Sequence, residues 1–299
     1  MDNIFRQIHI ENCKYVNKGG CATVYRLNED KIVKVFDRGS TLAMIEREYD
    51  YSKRAYEHGI PTAKPYEIVD CGAYYGIIFE FIRGEGLSSV VENHPEKIPE
   101  MTVKYADILK KLHSTDLGEG VLDSIKPLYH GKIAAMEKWC TKEEAEKLHS
   151  FIDWVPDANT ICHGDYHEKN ILVRDGELIL IDLADFTSGH PIFDLSVVYT
   201  SHVLIGRNHP ELALEHLGMD YEKALAMWDG FIIHYFDIDD KKKMEDYKKV
   251  IADFGLFQSM ISRGADPNWP EEMVPTLMQN IRNVVLPVID RETSAVLPF

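Results

Sequence analysis

Residues 170–182 read Asn-Ile-Leu-Val-Arg-Asp-Gly-Glu-Leu-Ile-Leu-Ile-Asp, two apolar runs on either side of Asp175-Gly176. Asp-Gly supplies the left-handed backbone that a two-residue hairpin turn needs, so the stretch is constrained to an antiparallel hairpin. Pairing Arg174 with Glu177 fixes the register and puts Ile181 opposite Asn170. Asn170 and Asp182 then meet at the open end. An amide oxygen and a carboxylate side by side are hard-oxygen ligands suited to Mg2+ shared with phosphates. Asp165 lies in the loop His163-Gly164-Asp165-Tyr166-His167-Glu168-Lys169 that enters the hairpin, from which it can point at a substrate hydroxyl.

The first eighty residues read mostly as short strands. Ala22–Leu27 and Lys31–Phe36 alternate and flank the polar turn Asn28-Glu29-Asp30, which predicts a hairpin. Residues 40–58 change to helical spacing, with Ser40 or Thr41 as cap and Gly59 and Pro61 beyond the end. Further strands are expected around Tyr66–Val69 and Tyr74–Ile82. Arg83-Gly84-Glu85-Gly86 reads as a linker. Beyond it the chain is largely helical, with candidates at 99–114, 129–152, 191–205, 210–217, 220–236, 239–263 and 270–286.

Charge separates the same two regions. The 299-residue chain carries 33 Lys+Arg against 49 Asp+Glu, a net of −16. Residues 1–83 hold 12 of each sign, so the whole excess falls in residues 84–299. We therefore expect a lobe over 1–83 and a second over 84–299. So acidic a chain lacks the basic footprint of a nucleic-acid or anionic-membrane binder. It shows no apolar run long enough to span a membrane and no signal-peptide core at its start, so a soluble cytoplasmic protein is the expectation. Five dispersed cysteines without a Cys-x-x-Cys pair read as reduced thiols. Oligomeric state is not legible.

The pattern His163-Gly164-Asp165 through Asn170, followed after eleven residues by Asp182, resembles the aminoglycoside phosphotransferase and choline kinase-like superfamily, small-molecule relatives of protein kinases. The resemblance implies an α+β, bilobal protein kinase-like fold. A small β-rich N-lobe with one main helix would bind nucleotide, and a larger, mostly helical C-lobe carrying the hairpin would hold the acceptor. It implies Asp165 as catalytic base, and Asn170 and Asp182 as metal ligands. Gly189-His190-Pro191 with Asp194-Leu195 looks like the family segment whose aspartate is structural. Asn17 to Val24 occupies the place of the phosphate loop; only its central glycine matches, which leaves amides near Gly19 and Gly20, while Val24 would cover a purine. Lys34 corresponds to the phosphate-binding lysine, with Glu48 its carboxylate partner and Glu46 the register alternative. Phe79-Glu80-Phe81-Ile82 resembles the hinge, where the Glu80 carbonyl and the Ile82 amide would meet the purine edge. Because these contacts are backbone, ATP is expected and GTP is not excluded.

The implied activity is transfer of the ATP γ-phosphoryl group, with Mg2+, to a hydroxyl of a small molecule. The acidic second lobe favours a cationic acceptor of aminoglycoside, choline or ethanolamine type. Rival readings are a metal site at His163, Asp165 and His167, an aromatic cage built from Trp139, Trp154, Trp228 and Trp269, and a nucleotide-binding regulator without turnover, suggested by the altered glycine loop. His113 is assigned to packing at a helix end.

Overall fold

The computed structural model describes residues 5–118 and 120–292. In chain order its strands are β1 (Arg6–Gln7), β2 (Lys14–Lys18), β3 (Ala22–Arg26), β4 (Lys31–Phe36), β5 (Pro65–Asp70), β6 (Tyr75–Glu80), β7 (Glu85–Gly86), β8 (Ile161–Cys162), β9 (Ile171–Arg174), β10 (Glu177–Leu180) and β11 (Thr187–Ser188). The helices are α1 (Leu42–Glu57), α2 (Leu87–Asn93), α3 (Ile98–Ser114), α4 (Ile125–Met136), α5 (Lys142–Trp154), α6 (Ile192–Tyr199), α7 (Glu211–Leu217), α8 (Tyr221–Phe236), α9 (Lys241–Ala265), α10 (Val274–Asn280) and α11 (Leu286–Glu292). Two compact units emerge. The first comprises Met1–Leu87 with Glu168–Phe186, the second Ser88–His167 with Thr187–Phe299.

In the first unit a six-stranded sheet runs in the order β1-β5-β6-β4-β3-β2, antiparallel except for β1 against β5. The two-residue period of β4 sorts its side chains between faces. Val33 and Val35 pack with Val69 and Ile78 on one side, while Ile32 and Phe36 join a core with Ile45 of α1, Ile77 and Ile179 on the other. Lys34 lies between Ile32 and Phe36, on the α1 side. Thr41 caps α1 by accepting from the Met44 amide at 3.3 Å, and Gly59 leaves the helix with φ +72°. The buried stripe of α1 is Ile45, Glu48, Ser52 and Ala55, at helical spacing, with Tyr51 beside it.

The β9–β10 hairpin keeps the register expected from Asp175-Gly176. Arg174 pairs with Glu177, Ile171 pairs with Leu180, and the Ile181 amide donates to the Asn170 carbonyl at 2.8 Å. Asp175 and Gly176 both have positive φ, 53° and 81°. The expected linker at 83–86 is corrected: Glu85 and Gly86 form β7, which pairs with β9. A Cβ on Gly84 would lie 2.5 Å from the Val173 carbonyl oxygen, so only glycine lets this strand approach the hairpin.

The second unit is helical, with β8 and β11 as a small antiparallel pair. Its core is aromatic, with Phe151, Phe193, Phe254 and Phe257 in mutual contact at ring separations between 5.0 and 5.6 Å. The expected helix at 129–152 is two helices. Thr141 and Glu144 form a reciprocal capping box that starts α5 afresh after a turn at Glu137–Trp139. The segment expected as 270–286 is also interrupted, by a π-helical turn at Ile281–Val285 ahead of Pro287, which has no amide to continue the ordinary ladder. Among the described residues no helix is long and apolar enough to cross a membrane.

Candidate active site

The first unit brings Lys34, Glu48 and Asp182 together. Lys34 Nζ donates to Glu48 Oε1 at 2.7 Å and to Asp182 Oδ1 at 2.9 Å. The alternation of β4 and the buried stripe of α1 turn Lys34 and Glu48 toward each other, and the hairpin delivers Asp182. Glu46, the register alternative, is exposed. The Glu48 side chain is 3% exposed, the Lys34 side chain 16% and the Asp182 side chain 48%. Burial penalises the Lys34 charge, but the two facing carboxylates outweigh it and push its ionisation upward, so the ammonium is retained. Burial pushes the Glu48 carboxyl up, against the pull of Lys34. Lys34 thus stays charged with one carboxylate buried and one open to solvent. Asp182 has φ +66°, a left-handed conformation that costs a non-glycine residue energy. It is held there directly after β10, whose last amide, Leu180, bonds to the Pro61 carbonyl at 2.8 Å.

Val24 and Ile77 are the cross-strand partners of Lys34 on β3 and β6, so all three share one face of the sheet. Gly19 and Gly20 form the exposed turn from β2 to β3; the Gly19 amide donates to the Ala22 carbonyl at 2.9 Å, and the space beside Gly20 is open. Glu80 ends β6 with its side chain engaged, accepting from Arg174 Nη1 at 2.8 Å and from the Lys64 amide at 3.4 Å. The Ile82 carbonyl accepts from the Gly84 amide at 3.1 Å. Asn170 closes a short 3-10 turn, Glu168–Asn170, at the open end of the hairpin.

The second unit holds Asp165. The loop leaves β8 and is pinned at both ends. Asp194, fully buried in the first turn of α6, accepts from the His163 amide at 2.7 Å and the Gly164 amide at 2.8 Å. Gly164 has φ +83°, which explains a glycine between the histidine and the aspartate. After Asp165, the Tyr166 hydroxyl donates to the Tyr105 carbonyl at 2.7 Å and the Tyr105 hydroxyl to the Tyr166 carbonyl at 3.2 Å. Between buried His163 and buried Tyr166, Asp165 is exposed, with His167 Nε2 3.3 Å from its Oδ2.

His163, Asp165 and His167 do not gather as a ligand set. His163 turns inward against the Tyr166 ring, whereas Asp165 faces outward. The four tryptophans form no cage either. Trp228 packs on Tyr199 and Phe231, Trp154 on Phe151, and Trp139 and Trp269 lie beside Lys138 and Arg263. His113, assigned to packing, does more than that: its Nε2 is 3.0 Å from Asp194 Oδ2 and its Nδ1 is 2.6 Å from the Tyr235 hydroxyl. No sequence signal links these three positions, since α3, α6 and α8 become neighbours only on folding.

The solved structures that resemble this chain carry the same fold. The aminoglycoside phosphotransferase APH(2″)-Ib, bound to ADP, has 17% identity and a TM-score of 0.64, covering 93% of this chain and 94% of its own. The amicoumacin kinase hAmiN, in complex with AMP-PNP, Ca2+ and Ami, has 14% identity and a TM-score of 0.61, with 99% and 92% covered. A choline/ethanolamine kinase family protein from Mesorhizobium loti has 14% identity and a TM-score of 0.53, with 96% and 89% covered. No curated protein matches the chain in sequence. The profile of the phosphotransferase enzyme family matches residues 13–231, most of the chain, a span that includes Lys34, Glu48, Asp165, Asn170, Asp182 and Asp194. The chain belongs to the phosphotransferase enzyme family, the small-molecule kinases of protein kinase-like fold.

Proposed function

We propose that this phosphotransferase moves the γ-phosphoryl group of ATP to a hydroxyl of a small cationic molecule. The observation that carries the reading is Lys34, held charged between Glu48 and Asp182 at 2.7 and 2.9 Å. A fixed ammonium beside a solvent-open carboxylate suits a phosphate and its counter-ion. Val24, on the face that Lys34 shares, would cover the purine; the Glu80 carbonyl and Ile82 amide would meet its edge, and the turn at Gly19 and Gly20 would offer amides to the phosphates. Backbone recognition of this kind is compatible with GTP as well as ATP.

Asn170 and Asp182 fit Mg2+ by donor chemistry, an amide oxygen and a carboxylate at one end of a hairpin whose register is fixed. When bound, the ion would offset charge on the phosphates. Asp165 would accept or orient the proton of the acceptor hydroxyl, with its loop held by Asp194 and Tyr105 while its carboxylate faces outward. Catalysis then rests on positioning and electrostatics. A cationic acceptor is supported by the 37 acidic against 21 basic residues after Arg83. It is also in keeping with what the similar structures are named for, aminoglycosides and choline or ethanolamine.

The test is magnesium-dependent ADP release across aminoglycosides, choline, ethanolamine, sugars and hydroxy amino acids. Asp165→Ala is expected to abolish turnover and spare nucleotide binding, and Asp182→Ala to lose metal-dependent binding as well. Near-wild-type phosphotransfer by Asp165→Ala would refute the assignment. Saturable nucleotide binding with no turnover on the whole panel would identify a regulator instead.

A further inference from the structure

Asp194 is fully buried yet takes three donors, the His163 and Gly164 amides and the His113 ring. A carboxylate at this site can only accept, so His113 Nε2 carries a proton. The other ring nitrogen, Nδ1, faces the Tyr235 hydroxyl at 2.6 Å. Burial and the nearby Asp194 charge push the Tyr235 hydroxyl to resist ionisation, so it keeps a proton that it can donate. Donation of that proton to Nδ1 makes the nitrogen an acceptor and gives the ring its Nε2–H form. The chain of bonds runs from Tyr235 through His113 and Asp194 to the two amides that precede Asp165.

The same groups could be taken for a metal site, because His113, Cys162 and Asp194 offer ligand atoms within 4.8 Å of one another. Their hydrogen bonds argue otherwise. Both oxygens of Asp194 and both nitrogens of His113 are engaged, and the Cys162 thiol, pushed well up by burial and by the Asp194 charge, stays protonated and donates to the His190 carbonyl at 3.6 Å.

We propose that Tyr235 is a positioning residue for phosphoryl transfer: its hydroxyl acts with Asp194 to hold His113 as the Nε2–H tautomer and thereby steadies the loop that aims Asp165. The proposal rests on the reading of Asp165 as the group that meets the acceptor hydroxyl. Without the Tyr235 hydroxyl the choice of tautomer rests on Asp194 alone, and the buried Nδ1 is left without its partner. The Nδ1–H form would set a ring lone pair against Asp194 Oδ2, and the carboxylate would release its hold on the His163 and Gly164 amides. Asp165 follows directly, so a small loosening there is a misplaced carboxylate, and misplacement lowers turnover without weakening nucleotide binding.

Tyr235→Phe tests this, since the ring contacts to Phe231 and Phe236, at 5.4 and 4.8 Å, do not need the hydroxyl. In the wild-type chain, nitrogen-15 NMR of the His113 ring is expected to show the Nε2–H tautomer. In the variant it should show a tautomer mixture, and amide exchange at His163 and Gly164 should quicken on the order of tenfold, with kcat falling on the order of tenfold and KM for ATP unchanged. An imidazolium or an Nδ1–H ring in the wild type overturns the proposal. So does a variant that keeps the tautomer and the protection of both amides. The ring and amide readouts need no turnover, so failure to find an acceptor would count against Asp165 as the base and leave the Tyr235 result legible.

Discussion

Lys34 Nζ lies 2.9 Å from Asp182 Oδ1 although 148 positions separate the two residues. That bond joins the sheet to the end of the β9–β10 hairpin within one compact unit, and with Glu48 it makes a three-member charge chain. The chain places two negative groups on one lysine, one buried and one open, and the asymmetry can be tested by removing the buried one.

Glu48→Gln keeps the shape of the helix stripe and removes its charge. Lys34 is left with Asp182 alone, and KM for ATP is expected to rise on the order of tenfold, equivalent to about 1.4 kcal/mol. Glu46→Gln, at an exposed position two residues away, should leave it unchanged. Steady-state kinetics at saturating acceptor separate the two.

Gly84→Ala inserts a Cβ at 2.5 Å from the Val173 carbonyl oxygen, which belongs to the hairpin backbone and cannot rotate aside. A loss of about 2 kcal/mol is expected in urea denaturation. Gly20→Ala, where a Cβ would meet nothing within 4 Å, should cost far less.

Asp194→Asn presents one carbonyl oxygen and one amide group where two carboxylate oxygens accepted three donors. At least one buried N–H loses its acceptor, so about 3 kcal/mol of stability should go. Circular dichroism through a urea titration reads this directly. Retention of wild-type stability would mean that the loop is not anchored through Asp194.

Acid should loosen the C-terminal helices first. The Glu144 carboxyl is held below its ordinary range chiefly by its hydrogen bond from Arg282, with the Thr141 amide and the Arg282 charge adding to this. Burial pushes Glu292 up, but the hydrogen bonds from Lys249 and Arg291 outweigh it and its ionisation is also lowered. Carboxyls depressed on folding contribute stability that is complete above the unfolded-state value, about 4.3, and lost as pH falls through the lower folded value. Arg282→Met is therefore expected to flatten the fall in Tm below about pH 4 while changing Tm little at pH 3. Thermal melts from pH 3 to 7 check it.

Local patterns reached far into this chain because several of its decisive features are local. The hairpin at 170–182 is set by Asp175-Gly176 and needs no partner to define its register. Lys34 and Glu48 are also local in origin, one placed by a strand period and the other by a helix stripe. The helix expected at 129–152 failed at Thr141, where a Thr-x-x-Glu capping signal lay in the sequence and outweighed the continuous helical spacing. Strands β7, β8 and β11 have two residues each, too short for any periodicity to show, and exist because a neighbouring strand supplies their hydrogen bonds.

By itself the sequence determined where backbone torsion must change hand, which faces are apolar, and which polar residues interrupt them; these depend on a residue and its near neighbours. Only the tertiary structure decided what those polar residues touch. It set Glu48 rather than exposed Glu46 against Lys34, turned Asp182 onto the same ammonium, and gave Asp194 three donors from α3 and the loop. It also turned His113 from a packing residue into the link between Tyr235 and that carboxylate. Such bonds join positions from 14 to 148 residues apart, and their cost in chain entropy is met only when the surrounding cores of each unit have closed.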